Sequence, residues 1–334
     1  MWRRAPFLSR WARLGLALLL VGGCAAKADP FGQQVKRIDE ISIAGEELFS
    51  RGELKRASRN FSRALTMSRS VDYIPGAAQQ LNNLGAVALE EGDYPKARDY
   101  FTQAYDLNQE RQQFAAASIN QANLATVAVK QGESAAASQH LAAAEDAAWQ
   151  SRSQPAMARV YLQWASFYLD QNDPASAQNF LTRAQPLCTT PELKGTLSHN
   201  QGRLALARGD SGQALEMFSR ALTIDRSVLD RAAMAGDLFY LGQVYQTRGD
   251  LSQAWDNYVR AFDVYAGMGR KAQLAKCLQR LQEVNRQGRM GHSLERFEKL
   301  ANPGPAPKIS IPCFCQLSSA SRNTLHHPVL ESQT

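Results

Sequence analysis

Six times between Gly45 and Ala261 the chain returns to one pattern. It is a small residue, an apolar residue three positions on, a glycine (once Asn172) four further, then an alanine, a bulky apolar residue and a second alanine. The second copy is the clearest: Gly85, Ala88, Gly92, Ala97, Phe101 and Ala104, inside Leu81–Leu107. The others begin at Gly45, Ala125, Ala165, Gly202 and Gly242, and the bulky residues in order are Phe61, Phe101, Leu141, Leu181, Phe218 and Tyr258. Steps of three and four keep residues on one face of a helix, so each copy reads as two helices broken at the glycine. Glycine reaches the left-handed conformation of a helix C-terminus without a Cβ penalty, and asparagine also tolerates it. The acidic residue that follows (Glu53, Asp93, Glu133, Asp173, Asp210 or Asp250) is placed to cap the second helix and meet its positive end. A hairpin of this size cannot bury its apolar face alone, so in-register copies predict stacking into an all-α solenoid.

The aligned alanines Ala57, Ala97, Ala137, Ala177, Ala214 and Ala254 lie 40, 40, 40, 37 and 40 residues apart. The pattern resembles the tetratricopeptide repeat over roughly residues 38 to 287, although that family commonly repeats every 34 residues or so. The longer period and the phrase Asn82-Asn83-Leu84-Gly85 are similar to its kinesin-light-chain-like branch. The resemblance implies a right-handed superhelix of helical hairpins near 38–71, 78–111, 118–151, 158–191, 195–228 and 235–268. The extra residues after the Ala104-type position predict a lengthened second helix. Pro186, Thr189, Thr190 and Pro191 fill the 37-residue step, which predicts a looser joint there. Leu274, Leu278 and Leu281 form one stripe over 271–287, the form of a terminal capping helix.

The first 23 residues carry Arg3, Arg4, Arg10 and Arg13 and no Asp or Glu, followed by the apolar run Leu14–Val21. That is the form of a secretory signal peptide, and the run is shorter than the roughly 20 residues a spanning helix needs. Val21-Gly22-Gly23-Cys24 resembles the lipobox of bacterial lipoproteins. The resemblance implies cleavage before Cys24, a diacylglyceryl group on its sulfur, a further acyl chain such as palmitate on its nitrogen, and a lipid-anchored linker over 24–37. Each buried CH₂ contributes about 0.8 kcal/mol, so several chains anchor firmly. Ala25 stands where an inner-membrane retention aspartate would be, which implies the periplasmic face of an outer membrane. Arg3-Arg4 does not fit the twin-arginine spacing, because Ala5-Pro6 precedes Phe7-Leu8.

Of the formal charge of +7, four units belong to the signal segment and +3 remains for the rest. A mild surplus spread over many helices is not the clustered cationic face of a nucleic-acid binder. Gly209-Asp210-Ser211-Gly212 matches a serine-protease tetrapeptide, and Arg208-Gly209-Asp210 and Arg248-Gly249-Asp250 match an integrin-binding tripeptide. All three sit at the hairpin turn, where Gly-Asp serves as helix stop and cap, and they predict no activity. No HExxH, P-loop or dinucleotide pattern is present among the residues around His140, His199, His292, His326 and His327. Cys313-Phe314-Cys315 with His326-His327 is a weak zinc signal in a Pro- and Ser-rich tail, so no metal ligand and no cofactor is assigned. Cys188 and Cys277 lie in different units, and Cys277 reads as a small buried hydrophobe on the capping helix. Residues 288–334 read as low-complexity and disordered, apart from one short helix over Ser293–Leu300.

One position is not explained by the packing pattern. The residue two before each small one is Ile43, Asn83, Asn123, Gln163, Asn200 or Tyr240, so four central units carry a carboxamide. Asn82, Thr126, Ser166 and Gln243 lie near the same surface. In the family this surface of the first helices lines the concave face and contributes to peptide binding. A ladder of amides can donate to and accept from an extended backbone; it can equally bridge neighbouring helices. Glu46, Glu90, Lys130, Asp170 and Arg203 alternate in sign there, without the Lys/Arg set with which family members clamp a terminal carboxylate. The expectation is a non-enzymatic, membrane-anchored scaffold holding envelope proteins or peptides. The roles this suggests are assembly of pilus, secretion or surface-polymer systems, recruitment of cell-wall enzymes, or a small-ligand or metal-binding accessory subunit.

Overall fold

The computed structural model describes residues 29–301, and these are helical nearly throughout. Helices α1 (Pro30–Ser50) and α2 (Leu54–Ser70) form the first hairpin, α3 (Ile74–Glu91) and α4 (Tyr94–Glu110) the second, α5 (Phe114–Gln131) and α6 (Ser134–Ser151) the third. The fourth comprises α7 (Gln154–Asp170) and α8 (Pro174–Ala184), the fifth α9 (Pro191–Ala207) and α10 (Ser211–Ser227), the sixth α11 (Arg231–Thr247) and α12 (Leu251–Gly267). Helices α13 (Lys271–Gly288) and α14 (Glu295–Ala301) follow. Each helix packs on its hairpin partner and on the neighbouring unit, so the chain is an all-α helical-repeat solenoid.

The turn chemistry follows the sequence closely. Gly52, Gly92, Gly132, Gly209 and Gly249 all have φ between 76° and 80°, and Asn172 takes φ 58° in their place. Asp93, Asp173, Asp210 and Asp250 accept hydrogen bonds from backbone N–H groups in the first turn of the following helix. Glu53 and Glu133 occupy the same position without capping. Their longer side chains pair with Arg56 and Arg98 instead. The Asp173 caps, first those to Ser176, hold its carboxyl below the usual range.

The bulky residue of each repeat packs inside its own hairpin, against the small residue of the first helix. A Cβ on Gly45, Gly85, Gly202 or Gly242 would lie 2.5, 2.6, 2.9 or 2.7 Å from the ring of Phe61, Phe101, Phe218 or Tyr258. Where the small residue is Ala125 or Ala165, its partner position holds Leu141 or Leu181. Contact size is therefore conserved within each hairpin: Gly with an aromatic ring, Ala with Leu.

Three boundaries differ from those expected. Helix α1 starts at Pro30, with Asp29 at its N-cap, so much of the expected linker is helix. The second helix of repeat four is only 11 residues and ends in a short 3₁₀ turn, Gln185–Leu187. There Cys188 is buried and the Thr190 hydroxyl caps α9. The fold also continues past 288: Asn285 brackets His292 with two hydrogen bonds, His292 stacks on Trp255 at 4.3 Å, and Phe297 packs edge-on to Phe262 at 5.0 Å. On α13, Leu274, Cys277, Leu278, Leu281 and Val284 are buried as a cap requires, and burial pushes the Cys277 thiol up to about 12. Cys188 and Cys277 are free.

The superhelix returns on itself. The α1–α2 turn at Gly52 meets the backbone of Met268 and Gly269 in the α12–α13 turn. Arg270 pairs with Glu90 and lies 5.0 Å over the ring of Phe49. A cleft of about 860 Å³ follows this seam.

Candidate functional site

Successive first helices touch one another: α1 with α3, α5 with α7, α7 with α9, and α9 with α11. The contacts of each second helix are instead with its hairpin partner and the next first helix. Elements that approach each other more closely lie on the inside of the curve, so the first helices line the concave wall. Each presents a stripe at spacing i, i+4, i+7: Ile119/Asn123/Thr126 on α5, Arg159/Gln163/Ser166 on α7, Thr196/Asn200/Arg203 on α9 and Gly236/Tyr240/Gln243 on α11.

The carboxamides of this wall are bonded to their neighbours. Asn123 Nδ2 donates to Asn82 Oδ1 at 2.8 Å, and Asn120 Nδ2 donates to the same oxygen at 3.0 Å. Gln163 Nε2 reaches the carbonyl of Ala122 and the hydroxyl of Thr126, both at 2.8 Å. Asn200 Nδ2 donates to the Leu162 carbonyl at 3.0 Å and is buried. Asn83 makes a long contact, 3.4 Å, to Glu46 Oε1. The same sequence position thus reaches back one repeat each time, tying first helix to first helix. Ser166 accepts from Arg203 Nη1 at 2.8 Å, and Arg203 Nη2 meets Asp170 Oδ1 at 2.5 Å. The bridging use of the amides is therefore present. The polar groups of this face that remain available include the amide oxygens.

Two depressions lie along the wall. One of about 480 Å³ spans α5, α7 and α9 and is lined by Ile119, Asn123, Arg159, Gln163, Ser166, Glu192, Thr196, His199, Asn200 and Arg203. The other, about 300 Å³, lies between α9 and α11 at Arg203, Leu206, Tyr240, Gln243 and Thr247. Arg203 borders both. Arg159 and Gln243 have no side-chain hydrogen-bond partner among the described residues, so they face the groove unspent. Arg159, Ile119 and Thr196 belong to the site although sequence reasoning picked only the i+4 and i+7 members of each stripe; one helical turn further back finds them. His199 borders the larger depression, with its ring 5.1 Å from that of Tyr240 and its pKa lowered to about 4 by burial and then by Arg203.

Ser211 opens α10 in the turn capped by Asp210. Among the described residues no group of three or more His, Cys, Asp or Glu is arranged to hold a metal ion, and no helix is long and apolar enough to cross a membrane. Cys24, Cys313, Cys315, His326 and His327 lie outside the described residues.

Residues 45–110 match the tetratricopeptide repeat family, and the same hairpin geometry continues to residue 267. No curated protein sequence matches the chain. Among solved structures, the Rap conjugation gene regulator of the plasmid pLS20, in complex with the Phr* peptide, is similar with TM-score 0.62 at 13% identity. That match covers 81% of this chain and 73% of the regulator. A Rap protein complexed with competence and sporulation factor is similar with TM-score 0.51 at 14% identity, covering 75% and 76%. BtubC (BKLC) from P. vanneervenii is similar with TM-score 0.50 at 21% identity, covering 65% and 92%. The class is thus defined as a solenoid of tetratricopeptide-type hairpins. At these identities the shared property is the fold.

Proposed function

We propose that this chain is a non-catalytic adaptor of the bacterial cell envelope, anchored by lipid on Cys24, that grips extended segments of envelope proteins or peptides along its first helices. The observation that carries the reading is the groove itself: four adjacent helices present aligned stripes whose outer members, Arg159, Thr196 and Gln243 among them, face solvent. An extended backbone laid across such stripes finds donors and acceptors at each repeat without its side chains being read. The Rap structures bear on this because a fold of the same kind is recorded there with peptide bound. The lipobox resemblance at Cys24, with Ala25 after it, supports an outer-membrane site, and a part in assembling a pilus, secretion or surface-polymer system is the role that the tetratricopeptide resemblance suggests for such a scaffold.

The variants that test the groove leave the amide bridges intact. Arg159→Ala with Gln243→Ala should weaken capture of native partners while helicity and melting stay unchanged, and undiminished capture would overturn the groove reading. Cys24→Ala should release the protein from membranes and abolish labelling by lipid precursors. Unchanged pelleting and labelling would overturn the anchor.

A further inference from the structure

Between repeats five and six lies a group of two buried acids and a half-buried histidine that the groove does not explain. Asp225 ends α10, Asp237 lies on α11 and His199 on α9. His199 Nδ1 is 2.7 Å from Asp237 Oδ1, and Asp237 and Asp225 are 0% and 3% exposed. Asp225 lies close enough to Asp237 for the two carboxyl groups to perturb each other's protonation. Asp237 Oδ2 is buried and has no hydrogen-bond partner among the described residues. Gly195 makes the room: any Cβ there would overlap the Asp225 carboxyl.

The internal repeat shows what this site is a version of. Three repeats earlier the same positions hold Asn108, Asn120 and Asn82, with the same separations of 12 and 38 residues. There Asn108 Nδ2 donates to Asn120 Oδ1 at 2.8 Å, and Asn120 donates to Asn82 at 3.0 Å. At the first joint Gln80 and Ser42 form the corresponding pair, 3.1 Å apart. At the third joint the positions are Ala148, Val160 and Ala122, all buried and apolar. Amides carry permanent donors, so the asparagine version works at any pH. Two acids in contact have a donor only if one keeps its proton.

We propose that Asp225, Asp237 and His199 form a proton-operated bolt between repeats five and six. With one proton on Asp225, its O–H donates to Asp237 Oδ2 while His199 Nδ1–H donates to Oδ1, and both oxygens of one carboxylate are satisfied. When that proton passes to a base in solvent, two buried carboxylates face each other across the joint and push α10 and α11 apart. Because His199 and Tyr240 on either side also border the groove, the wall loosens with the joint.

The surroundings favour a proton here near neutrality. Burial first pushes both acids up to about 7; the charge of Asp237 then raises Asp225 further, whereas the contact with Asp225 lowers Asp237 in part and Asp230 raises it. The other groups facing the three are Arg203 from α9, Asp230 from the α10–α11 turn, Tyr240 from α11 and Tyr265 from α12, with Cys277 of α13 behind Tyr265. Tyr265 and Cys277 are held neutral by burial, leaving Arg203 as the cation that His199 meets if it protonates. The sign for the acids is that of a raised pKa: their contribution is complete at low pH and is lost as pH rises through about 7. His199, lowered to about 4, contributes fully above the ordinary imidazole range and loses that contribution as pH falls through about 4. The bolt is therefore tighter on the acid side, loosens as pH rises to about 7 and stays loosened above it.

Hydrogen exchange by mass spectrometry on the full chain tests this, and because it needs no ligand its outcome is separate from that of the groove reading. After correction for intrinsic exchange, amides of α10 and α11 should exchange faster as pH rises from about 5 to about 7, by up to about tenfold per pH unit and levelling off above that, while those around Asn108 and Asn120 should not. Asp225→Asn, which copies the asparagine joint, should abolish that dependence and keep α10–α11 protected at pH 8. A wild type with no excess exchange over that rise in pH, or a variant that retains it, overturns the proposal. If the variant does not fold, carboxyl ¹³C resonances of the wild type decide: the pair should titrate together near neutrality, and two ordinary carboxylate titrations overturn the bolt.

Discussion

The pairing of a small residue with a bulky one inside each hairpin can be tested at Gly85 and Phe101. Gly85→Ala adds a methyl that would sit 2.6 Å from Cε1 of Phe101, a ring only 1% exposed and unable to move away. Replacing a helical glycine by alanine gains about 1 kcal/mol of propensity. Overpacking a tight core costs about 1–3 kcal/mol, so the net effect is a loss of about 1 kcal/mol. Phe101→Leu alone removes buried ring atoms and should cost about 1–2 kcal/mol. Together the two changes recreate the Ala125–Leu141 and Ala165–Leu181 contacts that repeats three and four already use, in which all four residues are buried. The double variant should thus lie within about 0.5 kcal/mol of the wild type, a coupling of about 2 kcal/mol between the sites. Urea unfolding followed by far-UV circular dichroism, with each m-value compared, reads this directly. Losses that simply add in the double variant would refute the idea that the repeats conserve contact size.

Two further perturbations separate features that look alike in sequence. Asp93→Ala should cost about 1 kcal/mol because it removes a cap on the Lys96 N–H, whereas Glu133→Ala, which makes no cap, should cost no more than about 0.5 kcal/mol from its exposed pair with Arg98; equal urea midpoints would contradict this. Gly52→Ala and Gly92→Ala share a left-handed backbone strain of about 1–2 kcal/mol, with φ of 76° and 79°. Only Gly52→Ala also drives a Cβ into the Met268 carbonyl, so in small-angle scattering it alone should enlarge the particle by opening the seam. The same radius of gyration for both variants would count against the seam.

Much of the fold was legible because the repeat states it in several registers at once. Gly92 marks a turn by conformation, Asp93 a helix start by hydrogen bonding, and Ala97 and Phe101 a buried face by spacing; the structure uses all of these. The start of α1 was not read from the repeat, since it precedes the repeated pattern; Phe31, Val35 and Ile38 do stand at helical spacing there, although only Ile38, Ser42 and Gly45 of the 21 residues are buried. Nor was the seam: it arises from small rotations accumulated over six hairpins, which no local pattern encodes. At the wall the sequence located Asn83, Asn123, Gln163 and Asn200 on one structural position, yet a carboxamide's spacing cannot say whether its donors turn to a neighbouring helix or to a ligand. The bolt was hidden for a related reason. Asp225 and Asp237 read as two more surface charges until they are aligned with Asn108 and Asn120, 12 residues apart in both cases.

The most direct test of the adaptor reading places a photo-crosslinking amino acid at single positions of the native, membrane-associated protein. Gln243, Thr196 and Arg159 sample the groove, and exposed positions such as Thr102 and Thr223 sample the second helices. The account predicts that discrete partner polypeptides are captured from the groove positions and map to extended segments, with little captured from the second helices. Capture that is equal on the two faces, or confined to the second helices, would contradict it.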